Sequence, residues 1–242
     1  MTITLTKLTQ EADGIPGWVA HPDAPGQHPA VLMLYHAPGL TGDYKHQAAR
    51  MAQAGYAVFV PQIFNMLGFP GDSHPGMGAD IQEKRSDAEF LRVFTDALKW
   101  FGARPYVDAK RIAALGHCMG GRLGIPFAAD TPGLAAVVLF YASVREEPET
   151  PHRPRHPTRS AKTIKIPSLV LYGGEDRVTS NKTQLQLLQS FIDSGSQVEW
   201  HFWSFGLHGF ATIDSDSYQP DIGRTGWMLV DDFLQRRLKD AR

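Results

Sequence analysis

The chain has 242 residues, 43% of them hydrophobic and 20% charged, which is enough for one large α/β domain whose core needs no covalent staples. Its 24 Lys and Arg against 25 Asp and Glu leave a net charge of -1, which argues against a protein built to grip nucleic acid or an anionic membrane. A single cysteine excludes an intrachain disulfide and a Cys-based metal cluster, and no apolar run approaches the ~20 residues of a membrane span.

The N-terminal stretch Met1–Lys7 alternates like a strand and lacks the apolar centre of a secretion signal, so the expectation is a soluble, cytoplasmic protein. Ala30–Tyr35 is a continuous apolar run, as expected of a strand buried on both faces. A turn at Pro38-Gly39 leads to a helix from Asp43 to about Ala54, stopped by Gly55. Tyr56–Val60 is the next strand, ended by Pro61, and residues 61–79, rich in Gly, Pro and Asn, read as a surface loop. From about Asp80 to Ala103, Leu91, Phe94, Leu98 and Phe101 recur at helical spacing and predict one long amphipathic helix. Arg111–Leu115 is a strand running into Gly116. A helix follows from Cys118 to Ala129, with Pro126 predicting a kink or an early end.

Leu134–Tyr141 and Ser168–Tyr172 are further buried strands. Leu185, Leu188 and Ile192 mark a helix, Gln197–Trp203 a strand, and Ile222–Leu238 a C-terminal helix. This alternation predicts an α/β fold, a mostly parallel central sheet with helices on both faces. Residues 144–165 break the rhythm with a polar, Pro-rich stretch in which six Lys/Arg face three Glu. They read as a solvated insertion within one domain spanning 1–242.

The most informative motif is Gly116-His117-Cys118-Met119-Gly120-Gly121, a nucleophile flanked by glycines between a strand and a helix. A tight strand-to-helix turn strains the nucleophile's backbone, and flanking glycines remove the clashes a Cβ would make. The turn also sets the sulfur at a helix N-terminus, where backbone N–H groups favour a thiolate. An acid belongs after a later strand, and Asp176 in Gly173-Gly174-Glu175-Asp176-Arg177-Val178 suits the role better than Glu175. The histidine comes last, and His208 in Gly206-Leu207-His208-Gly209-Phe210 sits in a loop of small residues after a strand.

Together with Tyr35-His36-Ala37-Pro38-Gly39-Leu40 and Gly55-Tyr56 with Pro61, these motifs resemble the dienelactone hydrolase family over most of the chain. The resemblance implies an α/β-hydrolase fold with a Cys-His-Asp triad, no metal and no organic cofactor. It makes Cys118 the nucleophile, His208 the general base and then acid, and Asp176 the residue that orients the imidazole. Ala37 and Met119 would lend backbone N–H groups to an oxyanion hole. His36, His117, Tyr141 and Phe210 are near-site candidates, and Phe64, Phe69, Tyr141 and Phe210 are candidates for the pocket wall that core packing would explain equally well. The dienelactone-cleaving members carry a Glu where His36 stands, and an Arg that binds the substrate carboxylate where Thr212 stands. A protonated or hydrogen-bonding His36 would favour the thiolate, whereas a ring that points away from the sulfur and only packs against its loop would not.

The expected activity is hydrolysis of a small carboxylic ester or lactone through an acyl-thioester at Cys118, with a small molecule rather than nucleic acid or membrane as partner. The oligomeric state is open. From a different class comes a binding or redox-sensing protein on the same scaffold, in which Cys118 is only a reactive thiol. The ordered Asp and His favour the hydrolase. His36, His74 and His208 lack close ligand spacing such as His-x-x-x-His, so no metal is expected.

Overall fold

The apolar runs of the sequence assemble, in a computed structural model describing residues 1–71 and 76–240, into one eight-stranded sheet. The chain begins with β1 (Ile3–Leu8), α1 (Gln10–Asp13), β2 (Gly17–Pro22), β3 (His28–Leu34), α2 (Gly42–Gln53) and β4 (Ala57–Pro61). Then come α3 (Ile63–Met66), α4 (Met77–Lys84), α5 (Asp87–Gly102), β5 (Val107–His117), α6 (Met119–Asp130) and β6 (Leu134–Phe140). The last third holds α7 (Pro157–Ala161), β7 (Ser168–Gly173), α8 (Asn181–Ser194), β8 (Val198–Trp203) and α9 (Pro220–Leu234), the last closed by a π-turn over Gln235–Lys239.

The spatial order is β1-β2-β4-β3-β5-β6-β7-β8. Strand β2 runs antiparallel to both of its neighbours, while β3 through β8 are parallel. The parallel strands therefore all deliver their C-terminal ends to the same edge of the sheet. Val31–Leu34 in β3 and Ala113–Leu115 in β5 are fully buried on consecutive residues, so both faces of the sheet are covered. Helix α2 packs on β2 and β4, α6 on β5 and β6, and α9 on β7.

Four local features differ from the sequence-based expectations. The helix expected from Asp80 to Ala103 is two helices, parted at Arg85, which is extended, and Ser86. Ser86 caps α5 by accepting from Glu89 N (3.3 Å), and Glu89 Oε2 accepts from Ser86 N (2.8 Å), a capping box whose local energy outweighs continuing the helix. Helix α6 runs through Pro126 to Asp130 instead of ending early, its flanks Leu123, Ile125 and Phe127 all buried. The 61–79 stretch contains the one-turn α3 and the start of α4, with Phe64 buried and its N–H donating to Tyr35 Oη at 2.7 Å. The 144–165 segment is ordered by ion pairs and by α7, whose N-cap is His156.

Candidate active site

Cys118 sits between β5 and α6 with φ 51° and ψ -112°, a backbone conformation that non-glycine residues rarely adopt. The glycines on either side make the turn possible. A Cβ on Gly116 would lie 2.4 Å from the Gly120 carbonyl oxygen, and one on Gly120 would lie 2.1 Å from that of Leu34. Cys118 N donates to Phe140 O, Ser143 N donates to Cys118 O, and Arg122 N continues the helix from Cys118 O. The backbone N–H groups of Ala37, after β3, and Met119, at the start of α6, lie near enough to the sulfur to favour its charged form.

Asp176 follows β7 and His208 follows β8, so three parallel strand ends converge on one point. His208 Nδ1 lies 2.8 Å from Asp176 Oδ2. The other carboxylate oxygen, Oδ1, accepts from Val178 N (2.8 Å) and Thr179 N (2.9 Å), which locks the acid's orientation. His208 Nε2 is buried without a hydrogen bond of ordinary geometry, and what it faces is the Cys118 thiol. The two side chains favour each other's charged forms. Burial works against a thiolate, yet the facing His208 and the Ala37 and Met119 N–H groups bring the Cys118 thiol below its usual range. Burial likewise works against an imidazolium, but Asp176 and then Cys118 push His208 up to about 10.

The near-site candidates fall behind this centre rather than in front of it. His36 is buried, its Nε2 without a partner and its ring edge-on to Tyr44 at 5.2 Å. Burial pushes its imidazole down to about 4, so it stays neutral and brings no positive charge to the thiol, contrary to the sequence-based expectation. His117 stacks on Phe140 at 4.7 Å, and burial, with His36 nearby, takes it down to about 3. Tyr141 lies edge-on to His208 at 5.2 Å, and Phe210 packs against Tyr141 and Trp203 in the core. Thr212 is buried beside Tyr141. Phe64, Phe69, Tyr141 and Phe210 do not line the cleft, because these aromatic side chains pack in the core or the α3 loop, the alternative that the sequence left open.

The cleft itself, about 290 Å³, opens over Cys118, Met119, Ala37 and His208. Its far wall comes from α4 and α6 through Gln82 and Arg122, and from the 144–165 segment through Arg145, Arg153 and Arg155. That segment is therefore part of the site and not merely a solvated insertion. Arg122 is buried and holds Asp87 with both terminal nitrogens, at 2.8 and 2.9 Å. It could have been noticed in the sequence as a cation in the first turn of the nucleophile's helix, where the helix dipole disfavours it unless an anion is supplied. Among the described residues no group of three or more His, Cys, Asp or Glu could hold a metal ion; His74 lies outside the described residues.

The sequence pattern of the dienelactone hydrolase family matches residues 15–238. The chain belongs to the dienelactone hydrolase family. Membership makes it a hydrolase of the carboxylic-ester class. Among similar sequences, a Salmonella typhimurium protein provisionally named carboxymethylenebutenolidase is 25% identical over 229 residues, covering 93% of this chain and 84% of its own. The carboxymethylenebutenolidase of Rhodococcus opacus is 25% identical over 233 residues, covering 95% of this chain and 89% of its own. A crystal structure from Klebsiella pneumoniae, described provisionally as a dienelactone hydrolase, superposes with a TM-score of 0.87 at 24% identity, over 98% of this chain and all of that one. That last likeness is one of fold, and it extends the family's α/β-hydrolase architecture across the whole sheet.

The pairing of Cys118 with His208 has a pH signature. A thiol whose pKa is depressed is ionised above that value and loses its reactivity only as the pH falls through it. Iodoacetamide should therefore alkylate Cys118 with a midpoint below the reference thiol value of about 8.5. His208→Ala should move the midpoint upward, and His36→Gln, which removes a neutral ring, should leave it in place. A wild-type midpoint at or above about 8.5 contradicts the paired thiolate.

Proposed function

We propose that this dienelactone hydrolase family member cleaves a small carboxylic ester or lactone, with Cys118 as nucleophile, His208 as base and acid, and Asp176 as the orienting carboxylate. The observation that carries the proposal is the 2.8 Å contact of His208 Nδ1 with Asp176, on a ring whose other nitrogen faces a thiol between two backbone N–H donors. The Cys118 sulfur attacks the carbonyl carbon, and the carbonyl oxygen takes up the negative charge against the N–H groups of Ala37 and Met119. One such donor contributes roughly 3–4 kcal/mol to stabilising that charge. Collapse of the adduct breaks the bond to the alkoxy oxygen, which leaves with the proton from His208 Nε2. His208 then takes a proton from water, whose oxygen attacks the thioester, and the acid departs as Cys118 returns to a thiolate.

The relatives named as carboxymethylenebutenolidases support a lactone as one natural form of this ester. The test is to trap the acyl-enzyme. Mixing the protein with excess p-nitrophenyl acetate and quenching in acid within the first turnovers should leave one acetyl group on the peptide containing Cys118. Turnover with no acetylation of that peptide, or acetylation elsewhere, refutes the thioester route.

A further inference from the structure

The four residues Phe140–Ser143 at the end of β6 contact Cys118 and His208 directly and reach Asp176 through Thr179. Phe140 O accepts from Cys118 N, and Ser143 N donates to Cys118 O. Ala142 O accepts from Thr179 Oγ1 (2.8 Å), and Thr179 N is one of the two donors holding Asp176. Tyr141 reaches the third member. Its ring lies edge-on to His208, and its Oη is 2.5 Å from Oγ1 of Thr212, four residues past His208 and fully buried. The turn between them is closed by Phe210 N to Leu207 O and Thr212 N to Gly209 O, so Thr212 anchors the turn that carries the histidine. Tyr141 has φ 32°, a left-handed conformation unusual for a bulky residue, and its N–H donates to Leu171 O at 2.8 Å, in the strand that leads to Asp176.

We propose that Tyr141 is a positioning residue whose hydroxyl, paired with Thr212, holds the His208 turn so that Nε2 stays aimed at Cys118. The inference rests on the Cys118–His208–Asp176 reading above and adds to it the element that sets the distance between histidine and thiol. The Asp176 bond alone fixes one end of the imidazole and leaves the ring free to swing about it. The Tyr141 ring blocks that swing on one side, and the Tyr141–Thr212 pair keeps the turn from drifting away. Titratable groups facing this point are Asp43 and Tyr44 from α2, His36 after β3, His117 in β5, Asp176 and His208. Tyr141→Phe and Thr212→Val alter none of these. Tyr141 itself is held neutral by burial, so removing its hydroxyl removes a hydrogen bond and no charge.

The experiment measures p-nitrophenyl acetate kinetics, the pH profile of iodoacetamide alkylation of Cys118, and the melting temperature in Tyr141→Phe, Thr212→Val, the double variant and Thr212→Ser. Tyr141→Phe and Thr212→Val should each lower kcat by about tenfold, as expected for losing one orienting hydrogen bond, with KM changed less than about twofold. Each should also raise the alkylation midpoint, because a displaced imidazole no longer supports the thiolate. The double variant should be no worse than either single one, since both remove the same bond. Thr212→Ser, which keeps the hydroxyl, should restore the wild-type profile.

A lower melting temperature with unchanged kcat and unchanged alkylation midpoint overturns the proposal in favour of simple packing. So does strict additivity in the double variant. The alkylation profile needs no ester turnover, so it still reads the Cys118–His208 contact if Cys118→Ala shows the nucleophile to be elsewhere. In that event a midpoint unmoved by Tyr141→Phe counts against the positioning role separately.

Discussion

Cys118→Ala should abolish acyl transfer from p-nitrophenyl acetate, and His208→Ala should lower kcat by at least on the order of 10³-fold. Losing either member leaves only binding and the oxyanion donors, so the two variants should not compound when combined. Asp176→Asn should preserve the fold and still lose on the order of 10²-fold or more. The geometry gives the reason. Asp176 Oδ1 accepts from two backbone N–H groups, so an asparagine must keep its carbonyl oxygen there and turn its NH₂ toward His208. Nδ1 then has to accept rather than donate, which places the ring's proton on Nε2 and leaves no base facing the sulfur. Steady-state rates across the three variants, with circular dichroism to check folding, measure this. More than half the wild-type rate in Cys118→Ala would sink the assignment.

The second large effect concerns substrate charge. A neutral short-chain ester should show a higher kcat/KM than the matched ester carrying a free carboxylate, by about 10–150-fold, the equivalent of a forgone charge-assisted contact of roughly 1.5–3 kcal/mol. The cleft contains arginines, but each already faces a carboxylate. Arg122 is bound twice by Asp87, Arg153 pairs with Glu147, Arg155 pairs with Asp130, and Arg145 lies 3.8 Å from Glu147. An incoming carboxylate would have to displace one of these partners. For the buried Arg122–Asp87 pair that would strand a charge, at a cost of about 3–5 kcal/mol. Thr212, where the dienelactone-cleaving members carry an Arg, is turned into the core and bonded to Tyr141. A clear preference for the anionic ester in parallel kinetic assays would refute this, and Arg122→Ala and Arg153→Ala would then identify the arginine that lets go of its partner.

That Cys118, Asp176 and His208 would meet could be read from the sequence, because the elbow is constrained by its nearest neighbours and the other two follow later strands. Gly116 and Gly120 leave no room for a Cβ, and that requirement survives whatever the rest of the chain does. Asp176 and His208 follow β7 and β8, and parallel strands bring those ends to the same edge of the sheet as the elbow. The break at Ser86 was also present locally, in the Ser86–Glu89 capping box, but the helical spacing of Leu91, Phe94 and Leu98 obscured it by running on one side of the break. What tertiary structure alone decided is what surrounds the sulfur. The cleft wall is assembled from α4, α6 and the 144–165 segment, stretches whose adjacency depends on the packing of the whole sheet and has no local signature. His36 could as well have been a cation as a neutral ring from its place in the sequence. Burial against Tyr44 makes it neutral, because removing an imidazolium from water costs more than any charge near it returns. Backbone geometry is set over a few residues, whereas the charge state of a side chain and the walls of a pocket depend on every segment that excludes water from them.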